Sequence, residues 1–368
     1  MSSWRECKLG EIIEIIGGGT PKTSISEYWN GNIPWLSVVD FNTGKKYVSK
    51  TEKTITEEGL KNSSTKLLQK NDIIISARGT VGVLAMLDKP MTFNQSCYGI
   101  RAKENESTND YIFYLLKDTV NQLLQISHGG VFDTITKATF DEIDISLPPL
   151  EEQKTIAEVF SSLDDKIDLL HRQNQTLESL AQTLFRQWFI EEAKEEWEVG
   201  TFGDLVEVSS GKSLKRELFD DMGKYEVLGA NGKIGKTNEW LFEEELIYTG
   251  RVGTLGNIFL IDEAKKVWLS DNTLVVKPKK YFYFIYFLMI DFQLENLNVG
   301  STQPLVRQSD LKNIEISLPN DEIVLRFEQQ SKGIFKKINQ NKKQIQTLEK
   351  LRDTLLPKLL SGEVRVEI

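Results

Sequence analysis

Two stretches of the chain carry the same apolar rhythm. From Ile156 the positions step alternately by four and three residues, through Phe160, Leu163, Ile167, Leu170, Asn174, Leu177, Ala181, Leu184 and Trp188. A second series runs Phe327, Ser331, Ile334, Ile338, Asn341, Ile345, Leu348, Arg352, Leu355 and Leu359. This heptad spacing belongs to helices that pack against other helices along their length. The first helix is predicted to follow Leu147-Pro148-Pro149-Leu150-Glu151-Glu152-Gln153 and to run to about Glu195. The second is predicted to follow Leu318-Pro319-Asn320-Asp321-Glu322 and to run to about Gly362. At about 1.5 Å per residue, each would be roughly 60 Å long.

The rest of the chain repeats as well. Gln175-Thr176-Leu177-Glu178 matches Gln346-Thr347-Leu348-Glu349, and Ile143, Ile145 and Pro148 fall on Ile314, Ile316 and Pro319. Trp4…Leu9-Gly10-Glu11 resembles Trp197…Phe202-Gly203-Asp204. Arg78-Gly79-Thr80-Val81-Gly82 resembles Arg251-Val252-Gly253-Thr254-Leu255-Gly256 with one extra residue, each after a β-like run, Asp72–Ser76 and Leu246–Thr249. The order is domain, helix, domain, helix: residues 1–148, 149–195, 196–319 and 320–368. The expected fold is α+β, with two mixed domains at opposite ends of a pair of long antiparallel coiled-coil helices in a pseudo-two-fold repeat. Such a register brings Asn174 opposite Asn341 and Leu170 opposite Ile345. The asparagines then either set the register or simply face water.

Composition narrows the function. At 368 residues, 40% hydrophobic and 27% charged, the chain exceeds one ordinary core and is neither disordered nor fibrous. The apolar run Tyr281–Ile290 is half of a membrane span, and the opening Met1–Glu11 lacks the apolar stretch of a signal peptide. Cys7 and Cys97 give no disulfide framework and suit a reducing cytoplasm; His128 and His171 are too few for a Cys/His zinc site.

Catalytic motifs are missing. Gly17–Thr23 has Pro21 where a phosphate loop needs glycine, and Gly211-Lys212-Ser213 has Val206 where the earlier glycine should stand. Glu152-Gln153-Lys154 imitates the end of a nuclease motif but reads better as an acidic cluster at a helix start. No catalytic residue and no metal site is expected.

Repeated domains alternating with long helices resemble the specificity subunits of type I restriction–modification systems. The resemblance covers essentially the whole chain and is most specific at Ile143–Gln153, at Leu355–Glu363 and at Trp4 with Leu9-Gly10-Glu11. It departs at Pro319-Asn320-Asp321-Glu322, where the family has Pro-Pro-x-x-Glu-Gln. The resemblance implies two target recognition domains, each reading half of a bipartite, asymmetric double-stranded DNA site, with the paired helices fixing the gap. It implies two modification subunits that carry S-adenosylmethionine, and restriction subunits that use ATP and Mg. This chain would hold no cofactor itself, and in isolation it would either express poorly or form homodimers. A coiled-coil scaffold that binds only proteins is the rival reading.

Candidate DNA contacts fall in matched loops, because base edges are read by Arg, Lys, Asn, Gln, Ser and Thr. They are Thr20, Lys22 and Thr23 with Lys212, Lys215 and Arg216; Arg78 and Thr80 with Arg251 and Thr254; and Asn94 and Gln95 with Asn272. A fourth matched loop pairs His128 with Ser301 and Gln303, near Lys137 and Arg307. Tight turns or structural ion pairs account for several of these equally well, and Trp35 either stacks or fills space. The net charge of −9 argues mildly against a nucleic-acid binder. Either basic side chains cluster on one face, as Lys45-Lys46, Lys265-Lys266 and Lys277/Lys279/Lys280 hint, or partner subunits neutralise the phosphates.

Overall fold

A computed structural model describes residues 4–126, 134–298, 300 and 304–367. The chain divides into two units, one of residues 1–171 with 343–368, the other of residues 172–342.

The first unit holds strands β1 (Arg5–Lys8), β2 (Ile13–Gly17), β3 (Trp29–Leu36), β4 (Tyr47–Val48), β5 (Lys53–Ile55), β6 (Ile73–Ser76), β7 (Leu84–Leu87), β8 (Thr92–Phe93), β9 (Cys97–Ala102) and β10 (Asp144–Leu147). They form a five-stranded sheet in the order β2-β9-β6-β7-β4, a three-stranded sheet β5-β3-β8 and the antiparallel pair β1-β10. Strand β6 is wholly buried, as its β-branched run requires. Ile73 and Ile75 face a core with Tyr111 and Tyr114 of helix α1 (Asn109–Ile126), whereas Ile74 faces Leu36, Phe41 and Phe93. Helix α2 (Leu150–Arg186) contributes Ile156 and Phe160 to the first of these cores.

The second unit repeats the plan. Its strands are β11 (Glu198–Thr201), β12 (Val206–Ser210), β13 (Tyr225–Gly229), β14 (Gly232–Thr237), β15 (Leu246–Gly250), β16 (Ile258–Ile261), β17 (Val267–Leu269), β18 (Thr273–Pro278) and β19 (Glu315–Leu318). The order β12-β18-β15-β16 matches β2-β9-β6-β7, and the parallel pair β13-β17 matches β3-β8. Ile247 and Tyr248 divide between two cores as Ile75 and Ile74 do. Helix α3 (Phe282–Asp291) and helix α4 (Asp321–Leu360) complete the second core, which is dense in phenylalanine.

Within each unit α2 and α4 run antiparallel. In the first, Phe160 shares a core with Leu356 and Leu359, and Ile167 and Leu170 pack on Ile345 and Leu348. In the second, Ala181 and Phe185 share a core with Phe327, Phe335 and Ile338. Every seam position read from the sequence is buried or half-buried. The first helix stops short of Glu195: a π-turn, Gln187–Glu191, ends it because Phe189 must turn inward against Phe284 and Phe327. The second begins where its sequence departs from the family pattern, because Asn320 Oδ1 accepts the Ile323 N–H at 3.1 Å and supplies an N-cap.

Glu151 and Glu152 lie in the first turn of α2, as an acidic helix start, but Glu152 and Gln153 are buried. Glu152 is 3% exposed and accepts the Trp4 indole N–H at 3.1 Å, while Gln153 bonds the Ser107 hydroxyl and the Glu106 and Pro148 carbonyls. No helix among the described residues is long and apolar enough to cross a membrane, and no cluster among them is arranged to hold a metal ion.

Candidate nucleic-acid interface

Antiparallel alternation brings three connections to one end of each main sheet: the loop after β2, the loop before β9 and the loop between β6 and β7. In the second unit they follow β12, precede β18 and join β15 to β16. Backbone bonds fuse them. The Gly19 N–H donates to Phe93 O at 3.0 Å, Ala77 N–H to Ser96 O at 2.8 Å, and Ile135 N–H to Ala77 O at 2.9 Å. The second unit repeats all three: Lys212 N–H to Leu269 O at 2.9 Å, Arg251 N–H to Asn272 O at 2.8 Å, and Val306 N–H to Arg251 O at 3.0 Å.

Close approach explains one glycine in each loop. A Cβ on Gly18 would lie 2.1 Å from Asn94 O, and one on Gly211 would lie 2.2 Å from Ser270 O. The next carbonyl is latched by an indole. Trp35 Nε1 of β3 donates to Gly19 O at 3.0 Å, and Trp268 Nε1 of β17 donates to Lys212 O at 2.8 Å. Trp35 is buried, with Trp29 edge-on at 5.2 Å. The sequence comparison missed Trp268, which occupies the strand matching β8 rather than the one matching β3.

These bonds fix the correspondence and correct two alignments. The bridge Arg78–Thr134 matches Val252–Leu305, and the positive-φ glycines 79 and 82 match 253 and 256. Arg78 therefore corresponds to Val252, and Arg251 to buried Ala77, with no extra residue. A one-residue step turns a side chain to the other face. Arg78 is exposed; Arg251 is half-buried, and its Nε has no hydrogen-bond partner among the described residues. Likewise Asn272 matches Ser96, and Asn94 matches Ser270.

Of the remaining candidates, Lys22, Thr23, Thr80, Gln95, Lys212, Lys215, Arg216, Thr254 and Arg307 are exposed on these loops. Thr20 donates its hydroxyl to Gln95 Oε1, Asn94 Oδ1 accepts the Ser96 N–H at 3.0 Å, and Asn272 Oδ1 accepts from the Ser270 hydroxyl. Lys137 turns back to Ile15 O at 3.3 Å, and its counterpart Gln308, not singled out in the sequence, reaches the Ser210 hydroxyl of β12. His128, Ser301 and Gln303 lie outside the described residues. Burial pushes the Cys97 thiol, at the start of β9, up to about 12, so it is no nucleophile.

Five lysines of these runs are held by partners within the chain, while Lys45 and Lys280 are exposed. Lys46 is buried against Asp110 and Ser161; Lys265 pairs with Glu226, Lys266 with Glu243 and Lys277 with Glu244. Lys279 caps the carbonyls of Gly203 and Asp204. Each is drawn to an acidic side chain or a helix end nearby.

The helix pair carries its own polar site. Asn341 Nδ2 lies 2.8 Å from both Asn174 Oδ1 and Gln173 Oε1, with Asn341 wholly buried. Arg352, another polar seam position, pairs with Asp164 at 2.7 Å.

The family model described as type I restriction modification DNA specificity domain matches the chain twice, over residues 1–179 and 194–355. The chain belongs to this DNA specificity family. Its relatives include the specificity subunits of the MjaIX and MjaVIII type I restriction enzymes of Methanocaldococcus jannaschii. They are 32% and 26% identical, over 99% of this chain and 94% and 93% of theirs. The crystal structure of a type I restriction–modification S subunit from M. genitalium shares the fold, with a TM-score of 0.60 at 19% identity over 97% of this chain and 96% of that one. The two matched segments each contain one of the fused loop clusters, so the DNA specificity family's repeat and the repeated site coincide.

Proposed function

We propose that this chain is the DNA-reading subunit of a type I restriction–modification complex and performs no catalysis itself. The observation that carries the reading is the duplicated loop cluster: one backbone frame, built twice, bearing different side chains. A shared frame with different base-reading groups suits two unlike half-sites. In this reading the exposed loop residues contact DNA, and the paired helices, with Asn174 and Asn341 setting their register, fix the distance between half-sites. Two modification subunits would bring S-adenosylmethionine and methylate adenine, and restriction subunits would bring ATP and Mg. The lysines held in internal pairs favour partner subunits as the source of much phosphate neutralisation. The isolated chain should then bind DNA weakly and with strong salt dependence. A cytoplasmic setting follows from such a role.

The test is methylome sequencing of a host carrying this chain with an active partner methyltransferase, against a strain lacking this chain. Loss of N6-methyladenine at one gapped, bipartite motif is expected. An unchanged methylome would exclude the reading and favour a scaffold that binds only proteins.

A further inference from the structure

A cavity of about 520 Å³ opens in the second unit between Trp197, Glu198, Tyr281, Phe284 and the start of α4 at Asn320–Val324. The first unit shows what such a place looks like when filled. The ladders β1-β10 and β11-β19 superpose Arg5, opposite Leu147, on Glu198, opposite Leu318. The helix repeat places Gln153 where the second unit has Val324. In the first unit the connection Lys103–Thr108, between β9 and α1, enters this region. Gln153 holds it through the Ser107 hydroxyl at 2.7 Å and Glu106 O at 3.0 Å, and Arg5 pairs with the Glu106 carboxylate.

In the second unit the corresponding connection, Lys279–Tyr281, is shorter. The tethering glutamine is replaced by valine and the arginine by glutamate. The missing segment is thus accompanied by a reversal of charge at the residue that would greet it. Glu196 and Asp321 add to the acidic rim, and Trp197, Tyr281 and Phe284 supply aromatic walls. Lys194 reaches the rim from outside, 3.9 Å from Glu196. Lys280 lies 6.0 Å from the Tyr281 ring centroid at the outer limit of contact, while Glu198 forms no ion pair among the described residues. Trp197 is the repeat of Trp4, and Trp4 already carries a guanidinium: Arg365 lies 5.1 Å from its ring centroid and 3.5 Å from Glu152.

We propose that this cavity receives an arginine-bearing segment of another polypeptide, its guanidinium stacked on the aromatic walls and paired with Glu198. Aromatic faces joined to carboxylates favour the planar, weakly hydrated guanidinium over the ammonium of lysine. The cavity lies away from the fused loops, so it serves assembly rather than base reading.

The test uses the full chain labelled with 5-fluorotryptophan, the Trp197 fluorine signal being identified by its loss in Trp197→Phe. Titration with N-acetyl-arginine methylamide should move that signal saturably and leave the Trp4 signal in place. N-acetyl-citrulline methylamide, of the same shape without the charge, should bind about tenfold more weakly. Glu198→Gln, at an exposed position, should weaken the arginine response about threefold or more while the other fluorine signals keep their shifts. No movement of the Trp197 signal, an equal response to citrulline, or an unchanged response in Glu198→Gln each overturns the proposal. None of these readouts involves DNA, so the outcome is separate from the fate of the DNA-reading assignment.

Discussion

Asn341 donates its amide to Asn174 across the α2–α4 seam at 2.8 Å, in a place where Asn341 is closed to water. The Asn341 carbonyl oxygen is buried with no hydrogen-bond partner among the described residues, so the pair is retained at some cost in stability. Replacing Asn341 alone by leucine strands both Asn174 and Gln173. Asn341→Leu should destabilise the chain by about 1–3 kcal/mol in urea unfolding followed by circular dichroism. The double variant Asn174→Leu/Asn341→Leu should recover that loss or exceed the parent. Additive losses in the two variants would show that the residues are not coupled.

Trp35 and Trp268 hold the loops through a single N–H each. Trp35→Phe and Trp268→Phe keep an aromatic ring and remove that donor. Each should weaken discrimination at one half-site only, by about two- to tenfold, the worth of one hydrogen bond. Methylation assays on oligonucleotides altered in either half-site would read this directly. A loss spread evenly over both half-sites would contradict independent latching.

Arg78 and Arg251 should behave differently despite their similar settings in sequence. Arg78 is exposed, so Arg78→Ala should lower DNA affinity of the assembled complex about tenfold, reduce the salt slope by about one, and leave the melting temperature unchanged. Arg251 stands where the first unit has a buried alanine, and Arg251→Ala should alter stability as well as binding. Fluorescence anisotropy over a salt series, with thermal melts, separates the two.

Glu328 accepts the Phe284 N–H at 2.6 Å near the start of α3, and burial pushes its carboxyl up to about 7 against the Phe284 and Tyr283 N–H groups and, more weakly, Lys332. A raised carboxyl binds its proton more tightly in the folded chain than in the unfolded one. Its contribution to stability is therefore full below pH 4.5 and is lost as pH rises towards 7. Glu328→Gln keeps the acceptor without the charge. It should flatten the fall in melting temperature between pH 5 and pH 8 and raise stability at the upper end, measured by scanning calorimetry.

Much of this was legible because it is periodic. The seam from Ile156 to Trp188 and from Phe327 to Leu359 could be read by counting, and its antiparallel pairing followed from the order of the parts. The site was legible only to the level of which loops meet. Arg78 and Arg251 stand beside similar glycines, and nothing local distinguishes a true match from a slip of one residue; the bridges to Thr134 and Leu305 decide it. Lys46 and Lys277 looked like a basic surface because their acidic partners, Asp110 and Glu244, are distant in sequence. Glu152 does start a helix, as read, but its burial with Gln153 was not legible because it depends on Trp4 and on the segment at Glu106–Ser107.

The two indole latches arise on strands that do not correspond, yet they grip carbonyls that do. What the duplication preserved is a place for a donor, and each half has found its own residue to fill it. Each latch bond joins residues of one unit. If these loops read the half-sites, a substitution that reshapes one should leave the second in tune, and new specificities would be gained one half at a time.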